Sequence, residues 1–82
     1  MLANDMKKGT VVYLKGTGWR ATIMDNAKGL IRMADVEGFA RETGSIYVHD
    51  IAYAETPDRR REYVELSPAQ AKQDARIKAA GF

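Results

Sequence analysis

The stretch Gly16 to Gly38, GTGWRATIMDNAKGLIRMADVEG, constrains the fold of this chain more than any other. Its first half places Trp19, Ala21 and Ile23 at alternating positions, which is the period of a strand with one buried face. The turn-forming stretch DNAKG (25–29) follows, and a second run rich in apolar residues comes after it. Two short strand-like runs joined by a turn predict a β-hairpin in the middle of the fold.

Other segments are predicted to add strands on both sides of this hairpin. Three share the β-branched and aromatic residues that strands favour: TVVYL (10–14), SIYVHDIA (45–52) and EYVEL (62–66). In LIRMADVEG (30–38) the apolar positions change phase, so we predict a bulge near Met33. FARETGS (39–45) and ETPDRRRE (55–62) are predicted to be connections. Together with the hairpin, these segments predict a small closed or half-open β-barrel of five strands, the last closing against the first.

The C-terminal segment changes character and is predicted to form a helix. Ser67 is a strong N-cap, and Gln70 three residues later completes a capping box. The apolar stripe of this helix is made of small residues and one aromatic residue: Ala71, Ala75, Ala79 and Phe82. Because so short a helix is marginal alone, it is expected to lie on the barrel or on a partner. The chain then divides into a loose N-terminal segment (1–9), a barrel (10–66) and the capped helix (67–82).

Size and composition argue against an enzyme. The chain has 82 residues, and a domain of this size buries only roughly 60% of the surface that its unfolded chain exposes, which disfavours a deep active site. There is no cysteine, and a strand would point the single histidine, His49, and the adjacent Asp50 to opposite faces. No phosphate-binding loop or dinucleotide fingerprint occurs. We expect no catalytic residue, no bound metal, no cofactor and no membrane partner.

A binding role requires fewer specialised residues than catalysis and is therefore compatible with a small barrel. The excess of 13 Lys and Arg over 11 Asp and Glu is too small to indicate nucleic acid by itself. Arg20 and Arg32 are predicted to share an outer face of the hairpin, as a positive stripe beside Tyr13 or Tyr47 that follows a phosphate backbone. Trp19 is either a plug for one end of the barrel or an exposed binding anchor. The predicted contact surface comprises Trp19, Arg20, Arg32, Tyr47, His49, Arg59, Arg60 and Arg61.

Two resemblances to known families bear on the fold. The run KKGTVVYLKGTGWRATIM (7–24) resembles the beginning of SH3-like barrels, and the likeness extends from Lys8 to about Ile51. Other features are similar to the plasmid-borne type II dihydrofolate reductases: Gly9-Thr10-Val11, Lys15, Trp19 and Gly44-Ser45-Ile46. In that family the stretch after Gly-Ser lines the pore of a tetramer and binds folate and a nicotinamide cofactor. The matching positions are Ile46, Tyr47, Val48 and His49, where the family has glutamine at Tyr47 and tyrosine at His49.

A third resemblance covers most of the chain. DNAKGLIRMADVEG (25–38), ETGSIYVHDIA (42–52) and ARIKAAGF (75–82) are similar to segments of small uncharacterised proteins of tailed bacteriophages. This likeness implies an accessory factor in the cytoplasm of an infected bacterium, or a minor element of the virion. Such a factor would dock on a host or viral protein, or on a second copy of itself.

The sequence therefore predicts a mainly β protein, a small SH3-like five-stranded barrel with a C-terminal α-helix. Its predicted function is that of a non-enzymatic binding module that docks on a protein partner or forms a homo-oligomer. One alternative is a nucleic-acid-binding small barrel that uses a basic rim. The other is a pore tetramer like the type II dihydrofolate reductases.

Overall fold

The structure, a computed structural model, describes residues 1–81, so that Phe82 of the predicted helix stripe lies outside the described residues. The mainly β class and the C-terminal helix are confirmed. The elements are β1 (Val11–Leu14), β2 (Arg20–Ile23), β3 (Ile31–Glu37), β4 (Arg41–Tyr47), β5 (Ile51–Glu55), β6 (Arg61–Tyr63) and α1 (Pro68–Ala79). Two short 3-10 turns, Ala3–Asp5 and Val48–Asp50, precede β1 and β5.

All six strands belong to one antiparallel sheet with the order β4-β3-β2-β1-β5-β6. The first four strands form a meander, and β5 then returns to pair with β1. Between residues 1 and 81 no ladder joins β4 to β6, so the sheet is open. The end of the chain before the helix also contacts the beginning, because Leu2 forms a parallel bridge with Glu65.

The prediction of five strands is wrong in the second half of the chain. FARETGS was predicted to be a connection, but β4 begins at Arg41 and runs along one edge of the sheet, with mostly exposed residues. An edge strand that faces solvent carries no apolar alternation, which explains the error. SIYVHDIA is not one strand: β4 ends at Tyr47, a 3-10 turn buries Val48, and β5 follows. The last strand, β6, pairs with β5 and not with β1.

The bulge predicted near Met33 is also absent from the pairing of β3. Its register with β2 and with β4 is regular, and the irregularity of the sheet lies between Tyr13 and Leu14, on the ladder of β1 with β5. The apparent change of phase has a different cause. Arg32 occupies a core-facing position, while its neighbours Ile31 and Met33 face outward and are 52% and 41% exposed. Buried and exposed positions alternate regularly along this part of β3, but an arginine occupies the buried position and two apolar residues occupy the exposed ones.

The core is small and uses the N-terminal segment as a cover. It consists of Ala3, Met6, Val12, Ala21, Ile23, Ala34, Val48, Ile51 and Ala54. Contrary to the expectation that residues 1–9 are loose, Ala3 and Met6 are almost completely buried. The backbone N–H of Ala3 donates to the carbonyl of Glu65 at 2.8 Å. The N-terminal segment is therefore part of the packed domain.

The helix is capped as predicted but packs through an unexpected face. Ser67 and Gln70 form the capping box, with the N–H of Gln70 donating to Ser67 Oγ at 3.2 Å. The buried residues of the helix are Gln70 and Asp74, whereas Ala71, Ala75 and Ala79 are exposed. A polar face thus contacts the two 3-10 turns through Asn4 and His49, and the stripe of alanines faces outward.

Candidate functional site

The eight residues predicted to form a contact surface lie in four different places. Trp19 and Arg20 are at the start of β2, and Arg32 is inside the core. Tyr47 and His49 are beside the helix, at the end of β4 and in the following turn. Arg59, Arg60 and Arg61 belong to the turn between β5 and β6 and to β6 itself. The structure does not bring these side chains together into one rim.

Arg32 is a structural residue, and the prediction that it shares an exposed face with Arg20 is wrong. Its side chain is fully buried, and Nε donates to Asp25 Oδ1 at 2.9 Å. Its Nη1 and Nη2 atoms donate to the carbonyls of Ala3 at 3.2 Å and Met6 at 2.7 Å. Hydrogen bonds from the backbone N–H of Met33 and from Arg32 lower the pKa of Asp25. Arg32 therefore ties the N-terminal segment to β3 and is not available to a ligand.

Trp19 lies at one end of the sheet and is partly buried. Its indole ring meets Phe39 edge to face, with 5.2 Å between ring centroids, and Phe39 itself is 100% exposed. Gly38 lies against the same ring, since a Cβ built there would be 2.7 Å from Trp19 Cζ3. Trp19 thus packs on the turn between β3 and β4, outside the core cluster.

Tyr47 and His49 form a closed contact with the helix. Their rings stack with 5.0 Å between centroids and an interplanar angle of 6°. Nδ1 of His49 lies 2.5 Å from Asp74 Oδ1, and Lys78 Nζ lies 3.2 Å from the other oxygen of that carboxylate. Burial tends to raise the pKa of Asp74, but the hydrogen bonds with His49 and Lys78 lower it overall. Because His49 is only 12% exposed at its side chain, this cluster serves the attachment of the helix.

A cluster of three aromatic residues lies on the outer face of β1, β5 and β6. We call it the tyrosine platform and define it as Tyr13, Tyr53, Tyr63 and Arg61. The registers place Tyr13 opposite Tyr53, and Tyr53 opposite Tyr63, in one row across three strands. Val12 and Ala54, which neighbour these tyrosines in the chain, are buried in the core, so the alternation turns the three rings outward.

The geometry of the platform is that of a continuous aromatic surface with a cation on it. Ring centroids are 5.2 Å apart for Tyr13 and Tyr53, and 6.4 Å apart for Tyr53 and Tyr63. The guanidinium carbon of Arg61 lies 4.6 Å from the centroid of Tyr13 and 5.0 Å from that of Tyr53. Nη1 of Arg61 also donates to the Tyr53 hydroxyl at 3.1 Å. Tyr63, at the edge of the row, is 78% exposed.

Polar side chains lie beside the row of tyrosines, and one of them accepts a hydrogen bond from the Tyr13 hydroxyl. Arg20 is opposite Tyr13 on β2 and forms an ion pair with Glu37 at 2.7 Å, which raises the pKa of Arg20. The Tyr13 hydroxyl donates to Glu55 Oε2 at 3.1 Å. Of the three consecutive arginines, only Arg61 joins the platform, while Arg60 pairs with Asp58 at 2.8 Å. Of the residues predicted to form a contact surface, Arg61 belongs to the platform and Arg20 lies beside it, whereas Tyr53 and Tyr63 were not among them.

A signal for the missed tyrosines was present in the sequence. In IAYAE (51–55), Tyr53 is flanked by alanines, which is compatible with a strand that buries small residues and exposes the ring. Recognising this pattern requires the correct start of β5, and the 3-10 turn at Val48–Asp50 obscures that start. Tyr63 in β6 becomes significant only through its pairing with Tyr53.

No protein-family model, curated protein sequence or solved structure matches the chain. In the described part of the chain no group of three or more His, Asp or Glu side chains is arranged to hold a metal ion. The helix of residues 1–81 is too short and too polar to cross a membrane. The surface chemistry of the sheet is therefore the feature of the described residues that points to a function.

Proposed function

We propose that the protein is a non-enzymatic binding module that binds single-stranded nucleic acid on the tyrosine platform. The SH3-like barrel expected from the sequence is part of this proposal. It is supported by the meander of β1 to β4 and by the return of β5 to β1, with β6 as an additional strand. In this view the inner face of the sheet stabilises the fold, and the outer face of β1, β5 and β6 binds the ligand.

The single observation that carries the proposal is the row of three outward-facing tyrosines, two half-buried and one exposed, with a guanidinium over the two half-buried rings. Every nucleobase has a π face, and stacking of one base on an aromatic side chain contributes about 1–3 kcal/mol. A guanidinium plane also stacks on bases, and its charge attracts phosphate. Tyr63 offers an exposed ring at the edge of the row, and Arg61 offers a cation beside it.

The charge of Arg61 favours nucleic acid over the protein partner expected from the sequence. Among residues 1–81, Arg61 forms no ion pair with a carboxylate, whereas Arg20, Arg41 and Arg60 each form one. An unneutralised cation on an aromatic surface suits a ligand that is planar and negatively charged. The resemblance to bacteriophage proteins implies a protein partner and stays a prediction.

The proposal is tested by fluorescence anisotropy with a labelled single-stranded oligothymidine. We expect the wild-type protein to bind at low salt, and Tyr63→Ala to weaken binding by roughly 5- to 150-fold, which corresponds to the loss of one stacked base. Tyr63→Phe keeps the ring and should bind nearly as well as the wild type. Phe39→Ala is the matched control, because Phe39 is an exposed aromatic residue outside the platform.

Two results would overturn the proposal. One is an absence of oligothymidine binding by the wild-type protein at low salt. The other is equal weakening by Tyr63→Ala and Phe39→Ala, which would mean that exposed aromatic residues contribute without regard to position. In either case a protein partner would become the preferred ligand, and the same variants would be compared in binding assays with that partner.

A further inference from the structure

A second feature lies beside the platform, and of its basic residues only Arg59 belongs to the contact surface predicted from the sequence. A groove of about 560 Å³ is bounded by the N-terminal segment, the beginning of β1 and the turn between β5 and β6. Its cationic side chains are Lys7, Lys8 and Arg59. This is a large opening for so small a domain, and three basic residues line it.

The charges of this groove are not neutralised by neighbouring side chains. Lys7, Lys8 and Arg59 form no ion pair with any carboxylate among the described residues 1–81. Two acidic residues, Asp5 and Glu55, also line the groove, so its side chains carry an excess of positive charge. Fixed cations around a concave surface attract anions more strongly than the small net charge of the chain suggests.

Arg59 has a φ of 65°, the one non-glycine residue among 1–81 with a left-handed conformation. The turn is held by hydrogen bonds from Thr56 N to Arg60 O at 2.7 Å and from Arg59 N to Thr56 O at 2.9 Å. Such a conformation costs roughly 1 kcal/mol or more for a side chain with a Cβ. Left-handed residues also close ordinary hairpin turns, so the conformation of Arg59 is compatible with a ligand contact at the groove and does not by itself require one.

The groove and the tyrosine platform are contiguous through Glu55. Glu55 lines the groove, and its carboxylate accepts the hydrogen bond from the hydroxyl of Tyr13. On the neighbouring strand, Arg61 is the register partner of Glu55. A ligand that stacks on the platform therefore reaches the groove without crossing another part of the surface.

We infer that the groove binds the phosphates of a single strand whose bases stack on the tyrosine platform, with Lys7, Lys8 and Arg59 as the phosphate-contacting residues. This inference rests on the proposed function and adds to it a backbone-binding site. Nucleic-acid single strands are commonly bound by this combination of a positively charged groove and aromatic stacking surfaces. The phosphate contacts determine how binding depends on salt, and the stacked bases contribute a term that depends little on salt.

The test is a salt series of the oligothymidine titration with a variant that removes all three cations, Lys7→Gln, Lys8→Gln and Arg59→Gln. For single strands the slope of log K against log salt is about −0.7 for each phosphate contact. We expect the variant to reduce the slope by about 2 and to bind more weakly at low salt. The matched control is the triple variant Lys15→Gln, Lys72→Gln and Arg76→Gln, which removes the same charge from exposed positions outside the groove.

The outcomes separate this inference from the proposed function. If the groove variant and its control change the slope equally, the groove inference is wrong, while a loss of binding in Tyr63→Ala still supports the platform. If only the groove variant reduces the slope, the groove inference stands, and the comparison of Tyr63→Ala with Phe39→Ala decides the platform separately. If the wild-type protein does not bind the oligonucleotide, the proposed function fails and this inference fails with it. Circular dichroism of each variant checks that the sheet is retained.

Discussion

The inner face of the sheet is stabilised by apolar packing, whereas the helix is held to the domain by polar contacts. The inner face of the sheet packs small and medium apolar side chains such as Val12, Ile23 and Ile51. The helix contacts the domain through hydrogen bonds, with Gln70 Nε2 donating to Asn4 Oδ1 at 2.8 Å and Asp74 facing His49. One interface depends on the area removed from water, and the other depends on geometry and protonation.

This difference indicates which part of the molecule determines its stability. A helix of 12 residues is marginal alone, and its exposed alanines contribute no packing against the domain. Apolar burial tolerates small shifts in position, whereas a buried carboxylate that loses its partner retains the full cost of desolvation. We therefore expect the sheet to remain folded under conditions that release the helix.

Arg32 is the exception inside the sheet, and its removal should have the largest effect. Arg32→Ala removes the side-chain donor to the carbonyl of Met6, leaves the carbonyl of Ala3 with the N–H of Met6 alone, and deprives Asp25 of its charged partner. We expect a loss of about 3–5 kcal/mol in the free energy of unfolding, measured by urea denaturation.

The control for this variant is Arg20→Ala, which breaks an exposed, solvent-screened ion pair with Glu37 and should cost far less than Arg32→Ala. Equal costs for the two variants would mean that the buried guanidinium contributes no more than a surface charge. The N-terminal segment would then be held by its apolar contacts and by its other hydrogen bonds, such as that of Ala3 with Glu65.

The next largest effect is expected at the interface of the helix. Asp74→Asn keeps the shape of the side chain but removes the charge that faces His49 and Lys78, so we expect a cost of about 1–3 kcal/mol near neutral pH. Because the pKa of Asp74 in the folded protein lies below its ordinary value of 3.8, the carboxylate stabilises the fold above that pH. This contribution is lost as the pH falls further.

Urea denaturation between about pH 5 and pH 3 checks the direction of this effect. The wild-type protein should lose stability more steeply than Asp74→Asn, because the variant lacks the group that takes up a proton. The pKa of Asp25 is also lowered, and Asp25 is present in both proteins, so the difference between the two curves reports Asp74. Parallel curves would show that the helix is not attached through this carboxylate.

The sequence predicts the parts of the fold that depend on local pattern. The hairpin of β2 and β3 is predicted from the alternation of Trp19, Ala21 and Ile23. The start of the helix is predicted from Ser67 and Gln70. Both signals arise within a few residues of the chain. The edge strand β4 has no such signal, since solvent on its outer side removes the requirement for apolar residues.

The pattern IAYAE can mark Tyr53 as an outward ring, but the tyrosine platform as a whole depends on registers between distant segments. Tyr13, Tyr53 and Tyr63 become neighbours only when β5 pairs with both β1 and β6. The role of Arg32 was inaccessible for a similar reason, since its acceptors include carbonyls of the N-terminal segment. Sequence periodicity describes one strand at a time, whereas these sites belong to several strands or segments together.

The smallest effect on stability is expected at Ala75, which follows Asp74 in the chain but lies on the exposed alanine stripe of the helix. Ala75 is exposed, so Ala75→Gln should change the free energy of unfolding by no more than about 0.5 kcal/mol and leave the molar mass from light scattering unchanged. A loss of more than about 1 kcal/mol together with a lower molar mass would show that the alanine stripe is an interface between copies of the chain. Paired with Asp74→Asn, this variant separates a helix attached by its polar face from one attached by its alanines.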